Sequence, residues 1–178
     1  MRILGIDPGK TTGLVIIEIE GTSWRLIERL DVPPYGEDNQ WLLDLYTVLY
    51  PRLESVDVAV MEQMLSYRNA TADEKMEAQG VIKFACAQVG CPLITYAPVT
   101  VRSTICCDGH ADERSIRRTL RFLLNLPERT KPGEGWSAHQ YDALAVALCH
   151  LARTGVPLGC CEKGEANEEE IPASSGEE

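Results

Sequence analysis

The sequence predicts an α/β fold in which a five-stranded mixed sheet, three antiparallel strands followed by parallel ones, is flanked by helices. Two observations carry this prediction. The first part of the chain holds three apolar, partly alternating segments joined by short turns, which is typical of an antiparallel meander. The part that follows alternates short strand patterns with segments of helical periodicity, which favours a sheet covered by helices.

The strand candidates are short runs rich in aliphatic and β-branched residues. The first strand ends at Asp7-Pro8-Gly9, and Gly21-Thr22-Ser23 is a turn sequence between the second and the third. The five predicted strands span residues 2–7, 13–20, 24–32, 56–62 and 93–96.

Four further segments place apolar residues at helical spacing. In the first of them Pro51 is expected to end or kink the helix, because proline removes a backbone hydrogen bond. Ser137 can cap the last helix, which we expect to end at about Ala152. The other three predicted helices span residues 38–53, 71–88 and 112–126. The resulting order, β-β-β-α-β-α-β-α-α, is that of the ribonuclease-H-like fold.

The negative charge is concentrated at the C-terminal end. The 178-residue chain carries a net charge of −10. From Glu162 onward there are seven Glu and one Lys, a net −6, which leaves −4 for residues 1–161. Since that tail has almost no large apolar residue, we predict one ribonuclease-H-like domain over residues 1–155 and an acidic, disordered tail over residues 156–178.

No targeting or membrane-spanning segment is evident. The N-terminus enters a strand pattern directly, and no apolar run reaches the ~20 residues that cross a bilayer. We therefore expect a cytoplasmic protein without a membrane partner. Its seven cysteines would then be reduced, and their role is not given by the sequence.

Acidic residues end two of the predicted buried strands. Asp7 follows the apolar run at residues 3–6, and Glu62 follows the run at residues 58–61. Burying an ionised carboxylate without a partner is costly. Taken singly, Asp7 could be a cap for the turn at Pro8, and Glu62 a surface residue where its strand ends. Together they predict convergent acids at one edge of a sheet.

A histidine and an aspartate lie at the start of the last predicted helix. His139 and Asp142 are three residues apart, which places them on one helix face. The next positions on that face, Val146 and Cys149, are apolar or nearly so. The alternative is an ordinary amphipathic boundary, in which an early backbone N–H satisfies Asp142.

Three carboxylates and one imidazole suit Mg²⁺ or Mn²⁺, with one or two ions per site. Two such ions about 3.5–4 Å apart clamp the attacking and leaving oxygens of a phosphodiester. This chemistry needs no nucleophilic side chain, and the sequence shows no nucleophile elbow. The predicted catalytic and metal-binding residues are Asp7, Glu62, His139 and Asp142.

Arginines recur at three- or four-residue steps along the helix predicted at residues 112–126. They are Arg114, Arg117, Arg118 and Arg121. Arg102 lies upstream of this stripe, and Arg68 lies in the loop after Glu62. A basic stripe can contact phosphates without reading sequence, but a solvated helix face has the same pattern. The sequence leaves both interpretations open.

Several segments, taken in order, resemble the RuvC-type Holliday-junction resolvases of the ribonuclease-H-like superfamily. The similarity covers residues 2 to about 152, at roughly the family's spacing. The segments are Ile3-Leu4-Gly5-Ile6-Asp7-Pro8-Gly9 with Thr12-Gly13, Met61-Glu62-Gln63, Gln79-Gly80-Val81, residues 111–127 (ADERSIRRTLRFLLNLP) and residues 139–147 (HQYDALAVA). Family members carry either Asp or His at the position of His139.

The resemblance implies a metal-dependent endodeoxyribonuclease that acts in DNA recombination and repair. A homodimer would cut a four-way junction symmetrically and leave 5′-phosphate and 3′-hydroxyl ends. The helix through Gln79-Gly80-Val81 matches the family's dimer helix. A recombination or packaging machinery is a further partner compatible with this role. The predicted DNA-binding residues are Lys10, Thr12, Leu65, Tyr67, Arg68, Arg102, Arg114, Arg117 and Arg118.

The chain also departs from the family pattern. Leu65 stands where the family commonly offers an aromatic residue for an unpaired base, with Tyr67 close by. Residues 106–110 replace a Gly-x-Gly segment. Two alternatives follow: a ribonuclease-H-fold nuclease that acts on RNA or on flapped or branched DNA, and a non-catalytic nucleic-acid-binding protein. The intact acidic set argues against the second.

Overall fold

The computed structural model describes residues 1–35, 39–63, 72–126 and 135–159. The predicted DNA contacts Leu65, Tyr67 and Arg68 lie outside these ranges, as does the chain from residue 160 onward. The described elements are β1 Arg2–Asp7, β2 Thr12–Glu20, β3 Ser23–Val32, α1 Gln40–Glu54, β4 Val58–Glu62, α2 Ala72–Val89, β5 Leu93–Tyr96, α3 Pro98–Cys106, α4 Glu113–Leu123 and α5 Ala138–Arg153. None of the helices described is both long and apolar enough to cross a membrane.

The five strands form one mixed sheet in the order β3-β2-β1-β4-β5. β2 pairs antiparallel with both β1 and β3, whereas β4 pairs parallel with β1 and β5. This topology confirms the predicted five-stranded mixed sheet and its three-strand antiparallel meander. It also brings the carboxyl ends of β1, β4 and β5 to the same edge.

Each face of the sheet is covered by its own helices and has its own core. On one face Ile82 of α2 and Leu45 of α1 pack with Leu4 and Met61 of the sheet. On the other face α3, α4 and α5 pack on alternate residues of the same strands, such as Ile3. Since side chains alternate along a strand, this pattern turns Gly5, Asp7 and Glu62 toward α5.

A β-bulge divides β3 into two halves. Ile16 of β2 pairs with Glu28 and Ile17 pairs with Leu26, so Ile27 is the extra residue. Before the bulge Trp24 belongs to the core beneath α5, and after it Leu30 belongs to the core beneath α1. The bulge therefore reverses which residues of β3 face α5.

Helix α3 was not predicted from the sequence. Its Val99, Thr100, Val101, Thr104 and Ile105 are β-branched and have modest helix propensity, which hid its period. The one signal for it was Pro98 at the first helical position.

Two predicted boundaries were wrong, and Pro51 does not end the first helix. Helix α1 continues past Pro51 to Glu54, next to the predicted end at residue 53, because Leu49 and Leu53 are buried and hold the last turn on the sheet. Helix α4 ends at Leu123 rather than at Leu126. Asn125, just after this end, adopts a φ of 55°. The Asn125 N–H donates to the Phe122 carbonyl and the Leu126 N–H to the Arg121 carbonyl, which is a Schellman ending. Strand β4 begins at Val58, two residues later than predicted.

Candidate active site

Asp7 and Glu62 lie at the same edge of the sheet. β1 and β4 are parallel, and Ile6 is opposite Met61, so the next residue of each strand is an acid. Only 14% of the Asp7 side chain is exposed. Two neighbouring parallel strands thus end in carboxylates that face the same layer of helices, as the sequence predicted.

Two glycines let α5 lie directly on β1 and β2. A Cβ added to Gly5 would overlap the backbone carbonyl of Ala143, and one added to Gly13 would overlap that of His139. Because neither strand has a side chain at these points, the first turns of α5 come against the backbone of the sheet. This contact places His139 beside the end of β1.

His139 contacts Asp7 directly. Its Nδ1 donates a hydrogen bond of 2.8 Å to Asp7 Oδ2, which leaves Nε2 as the ring nitrogen open to a ligand. That hydrogen bond is the main reason why the pKa of His139 is raised, and the charges of Asp7, Asp31 and Asp142 add to it against the effect of burial. The two residues are 132 positions apart in the chain, and the fold alone joins them.

Glu62 and Asp142 carry strongly perturbed carboxyl groups. Burial, followed by the charges of Asp7 and Asp142, raises the pKa of Glu62 to about 7. Burial, followed by the charges of Asp7 and Glu113, raises the pKa of Asp142 to about 6. Asp7 acts on both groups, so the four predicted residues form one electrostatic cluster. Convergent carboxylates that resist ionising together are a frequent sign of a functional site.

The donor set fits a hard divalent cation. Three carboxylates and an imidazole offer oxygen and nitrogen ligands of the kind that Mg²⁺ and Mn²⁺ accept. Burial raises the pKa of both Glu62 and Asp142, and the charges of neighbouring acids add to the rise, so a cation bound here would stabilise the ionised carboxylates. Among the residues described, however, no three side chains already lie close enough to chelate one ion. Asp7 and His139 instead bond to each other, so a cation would have to draw the ligands together.

Three basic residues border this acidic cluster. Arg102 of α3 and Lys75 of α2 partly offset the rise in the pKa of Glu62. Arg117 of α4 partly offsets the rise at Asp142 while its Nη2 donates a 3.1 Å hydrogen bond to Glu113. The Nε of Arg117 is buried with no hydrogen-bond partner. Because α3 was not predicted, no sequence pattern indicated that Arg102 lies near Glu62.

The other predicted DNA contacts that the structure describes lie in two places. Arg114 and Arg118 are exposed on α4, beside the site. Lys10 lies in the β1–β2 turn, where its Nζ is 3.1 Å from Glu74 Oε1 of α2. Thr12 is 1% exposed, and its hydroxyl donates to the Gly9 carbonyl, so in this structure it holds the turn.

The sequence analysis did not single out Lys75 or Glu113 as neighbours of the site. Glu113 is the first residue of α4 and Lys75 lies in the first turns of α2, so both reach the site through tertiary packing. Glu113 could have been suspected, since it directly precedes the arginine stripe. Lys75 gave no such signal.

A family model for the crossover junction endodeoxyribonuclease RuvC matches residues 3–150. The chain belongs to the RuvC family. A RuvC from Caldicellulosiruptor saccharolyticus is 37% identical over 158 residues, which cover 85% of this chain and 92% of that protein. A RuvC from Halorhodospira halophila is 35% identical over 170 residues, which cover 92% and 97%.

Solved RuvC structures have the same architecture. Thermus thermophilus RuvC superposes with a TM-score of 0.73 at 27% identity, covering 88% of this chain and 98% of that one. A second structure, T. thermophilus RuvC in complex with Holliday junction substrate, gives the same score and covers 97% of that chain. Fowlpox virus resolvase, at 13% identity and a TM-score of 0.51, shares the fold.

Proposed function

We propose that this chain is a crossover junction endodeoxyribonuclease that resolves four-way DNA junctions by divalent-metal-dependent hydrolysis. The observation that carries the proposal is the cluster of Asp7, Glu62, His139 and Asp142 on a RuvC fold. Asp7 accepts a hydrogen bond from His139, and its charge helps to raise the pKa of Glu62 and of Asp142. The RuvC from T. thermophilus, which this chain matches in fold, takes a Holliday junction as substrate.

Asp7, Glu62 and Asp142 would hold the cation, with Nε2 of His139 completing the set. A bound Mg²⁺ or Mn²⁺ would activate water and stabilise the charge that develops on the phosphate. Before loading, Glu62 and Asp142 hold protons more tightly than free carboxylic acids do, because they share one buried site. Loading therefore requires these groups to release protons, which favours activity at neutral to alkaline pH.

The basic side chains around the cluster would contact the DNA backbone. Because Arg102, Lys75 and Arg117 lie close enough to influence the pKa of the carboxyl groups, we expect them to contact the scissile phosphate. Arg114 and Arg118 continue the positive surface outward along α4. These residues bind phosphates whatever the base sequence, which offsets the repulsion between DNA and an acidic protein.

Symmetric cleavage of a junction needs two sites, and α2 provides a surface for a dimer. Met76 and Phe84 on this helix are 44% and 61% exposed, and a Cβ added to Gly80 between them would meet no atom. Exposed apolar side chains around a small residue on one helix suit an isologous helix-to-helix interface. This helix packs on the sheet face opposite α5, so a partner there would leave both sites open.

A substrate panel tests this function. Purified protein is incubated with Mg²⁺ or Mn²⁺ and equal concentrations of a four-way junction, a 5′-flap, a duplex and an RNA stem-loop of matched sequence. We expect cleavage of the junction in two opposing strands, with 5′-phosphate and 3′-hydroxyl ends, and at least 100-fold slower cleavage of the others. Preferred cleavage of the flap or the RNA would contradict the proposal and favour a related nuclease activity.

A further inference from the structure

Two polar residues of β3, Arg29 and Asp31, contact the beginning of α5. The two lie after the bulge at Ile27, and Leu30 between them faces the opposite core. They reach α5 from a strand more than 100 positions away in the chain. These contacts are separate from the metal-binding cluster itself.

The beginning of α5 is a complete capping box. The Ser137 hydroxyl oxygen accepts a 3.0 Å hydrogen bond from the Gln140 backbone N–H, and Gln140 Oε1 accepts a 3.4 Å one from the Ser137 backbone N–H. Such a box satisfies the first turn of a helix by itself and needs no further partner. His139 lies between these two capping residues in the chain.

β3 binds the remaining polar atoms of this box. Asp31 Oδ1 accepts from the Ser137 hydroxyl at 2.8 Å, and Asp31 Oδ2 accepts from Gln140 Nε2 at 3.3 Å. Arg29 Nη1 donates to Gln140 Oε1 at 2.7 Å, and its guanidinium lies 5.1 Å from the centre of the Trp136 ring. Gln140 is 8% exposed, so these bonds also satisfy an amide that would be costly to bury alone.

The sheet register explains what this second set of contacts does. Gly13 is paired with Asp7 on one side and with Asp31 on the other, and the backbone of His139 lies over Gly13. The first turn of α5 therefore rests between two carboxylates of one rung. Asp7 bonds the His139 ring, while Asp31 bonds the capping residues on either side of His139.

We propose that Asp31, supported by Arg29, is a positioning residue that fixes the first turn of α5 so that His139 and Asp142 meet the acids of β1 and β4. This role rests on the proposed metal-dependent function. Groups that orient metal ligands from behind typically change metal affinity 10- to 100-fold when they are removed. We expect Asp31 to have an effect in that range without touching metal or DNA.

A charge-swapped pair tests the positioning role. Asp31→Asn sets an amide NH₂ against the NH₂ of Gln140, and Gln140→Glu alone sets two carboxylates against each other. In the Asp31→Asn/Gln140→Glu double variant the new amide donates to the new carboxylate, and the glutamate still accepts from Arg29 and keeps the capping box. We expect each single variant to bind Mn²⁺ about 10-fold more weakly than wild type, and the double variant to recover most of that loss.

The readout is the free Mn²⁺ signal in electron paramagnetic resonance of the DNA-free protein, together with kcat and KM for junction cleavage. The matched control is Glu28→Gln, which loosens the contact between β3 and Arg52 of α1 on the opposite face. We expect this control to bind Mn²⁺ as wild type does. The single variants should lower kcat at fixed Mn²⁺ with little change in KM for the junction.

Wild-type Mn²⁺ affinity in Asp31→Asn, or an equal loss in Glu28→Gln, would overturn the positioning role. Failure of wild-type protein to bind Mn²⁺ or to cut junctions would instead refute the proposed function. In that case amide hydrogen exchange decides the positioning role. Faster exchange at Gln140 and Tyr141 in Asp31→Asn, reversed in the double variant, supports it, and unchanged exchange overturns it.

Discussion

Asp7 and Asp31 lie on one rung of the sheet, on either side of Gly13, and both carboxylates contact the first turn of α5. The rung spans three strands, and its central position has no side chain. A helix can therefore rest on the sheet between two acids, one of which joins the candidate metal site while the other holds the helix cap.

Replacing Asp7 with Asn should abolish cleavage. Asn keeps the shape and one acceptor oxygen but removes the charge that would hold the cation, and effects on water activation and phosphate charge are each worth several kcal/mol. We expect the rate of junction cleavage in Mg²⁺ to fall at least about 1000-fold. Binding to the junction in Ca²⁺ should stay within about threefold of wild type, since phosphate contacts dominate affinity.

Cleavage by Asp7→Asn at the wild-type rate would show that the activity arises elsewhere. Asp57→Asn is the matched control. Asp57 lies before β4, at the opposite end of the strands, where its Oδ2 accepts from the Arg2 backbone N–H. It should cut junctions at the wild-type rate.

The stability of the metal-free protein should depend on Glu62 and on pH. The folded state raises the pKa of Glu62 from 4.5 to about 7, so the folded protein binds the proton more tightly than the unfolded chain does. This contribution to stability is full below pH 4.5 and is lost as the pH rises through about 7. In thermal unfolding in EDTA, the Tm of Glu62→Gln should therefore rise relative to the Tm of wild type as the pH increases from 4.5 to about 7.

In the same experiment saturating Mg²⁺ at pH 8 should stabilise wild type and leave Glu62→Gln almost unchanged. A constant difference in Tm between the two proteins across the pH range would contradict the origin assigned to the raised pKa. Glu54→Gln, at the exposed end of α1, is the control and should be stabilised by Mg²⁺ as wild type is.

Gly13→Ala should separate α5 from the sheet. The new methyl group would meet the carbonyl carbon and oxygen of His139, which belong to a buried helix backbone that cannot move cheaply. Overpacking of this kind costs about 1–3 kcal/mol, and displacement of catalytic groups by about 1 Å costs about 100-fold in rate. Urea unfolding and single-turnover cleavage measure the two effects.

Gly159→Ala is the control for Gly13→Ala, because a Cβ at Gly159 has open space around it. It should leave both stability and rate unchanged. A fully active Gly13→Ala protein would show that the close contact between β2 and α5 is not needed for the site.

The exposed arginines of α4 should contribute to the salt dependence of DNA binding. Arg114→Gln and Arg118→Gln should each weaken junction binding at low salt and reduce the slope of log K against log [salt] by about 1. Arg25→Gln, whose native guanidinium pairs with Glu18 on β2, is the matched control and should leave the slope unchanged. Unchanged slopes in the two α4 variants would indicate a solvated helix face.

Phe84→Glu should convert the protein to a monomer while leaving it folded. The side chain is 61% exposed on α2, so the charge costs little in the protomer but would be buried in a dimer. Sedimentation velocity at tens of micromolar should show a dimer for wild type and a monomer for the variant. Phe122→Glu, at a 74% exposed position on α4, should remain dimeric. A wild-type monomer would refute the dimer.

The order of strands and helices along the chain, and the acids at the ends of β1 and β4, could be predicted because each depends on a local sequence pattern. Alternation marks the strands, and an acid after an apolar run marks the edge of a sheet. That Asp7 and His139 share one site was predicted from the residue types together with the resemblance to the family. Their hydrogen bond itself arises from the packing of α5 on Gly5 and Gly13, which no local pattern encodes.

Other features were out of reach for physical reasons. Trp24, Leu26, Leu30 and Val32 occupy even positions and look like one face of a strand, yet the bulge divides them between two cores. Regular alternation would place Arg29 and Asp31 on the face opposite these four residues. Similarly, the β-branched composition of α3 opposed its helical assignment, and packing against α5 overrode that local preference.

The bulge at Ile27 makes the spacing of β3 as important as its composition. If Ile27 paired with β2 as a regular strand residue, every later residue of β3 would shift by one place, and positions 29 and 31 would turn away from α5 although every side chain in the contact would still be present. Deletion of Ile27 should by contrast be tolerated, because Leu26 and Glu28 would stay opposite Ile17 and Ile16 and the later residues would keep their faces. Among natural variants of this chain, loss of the bulge should therefore coincide with a strand that is one residue shorter, and not with a strand of the same length.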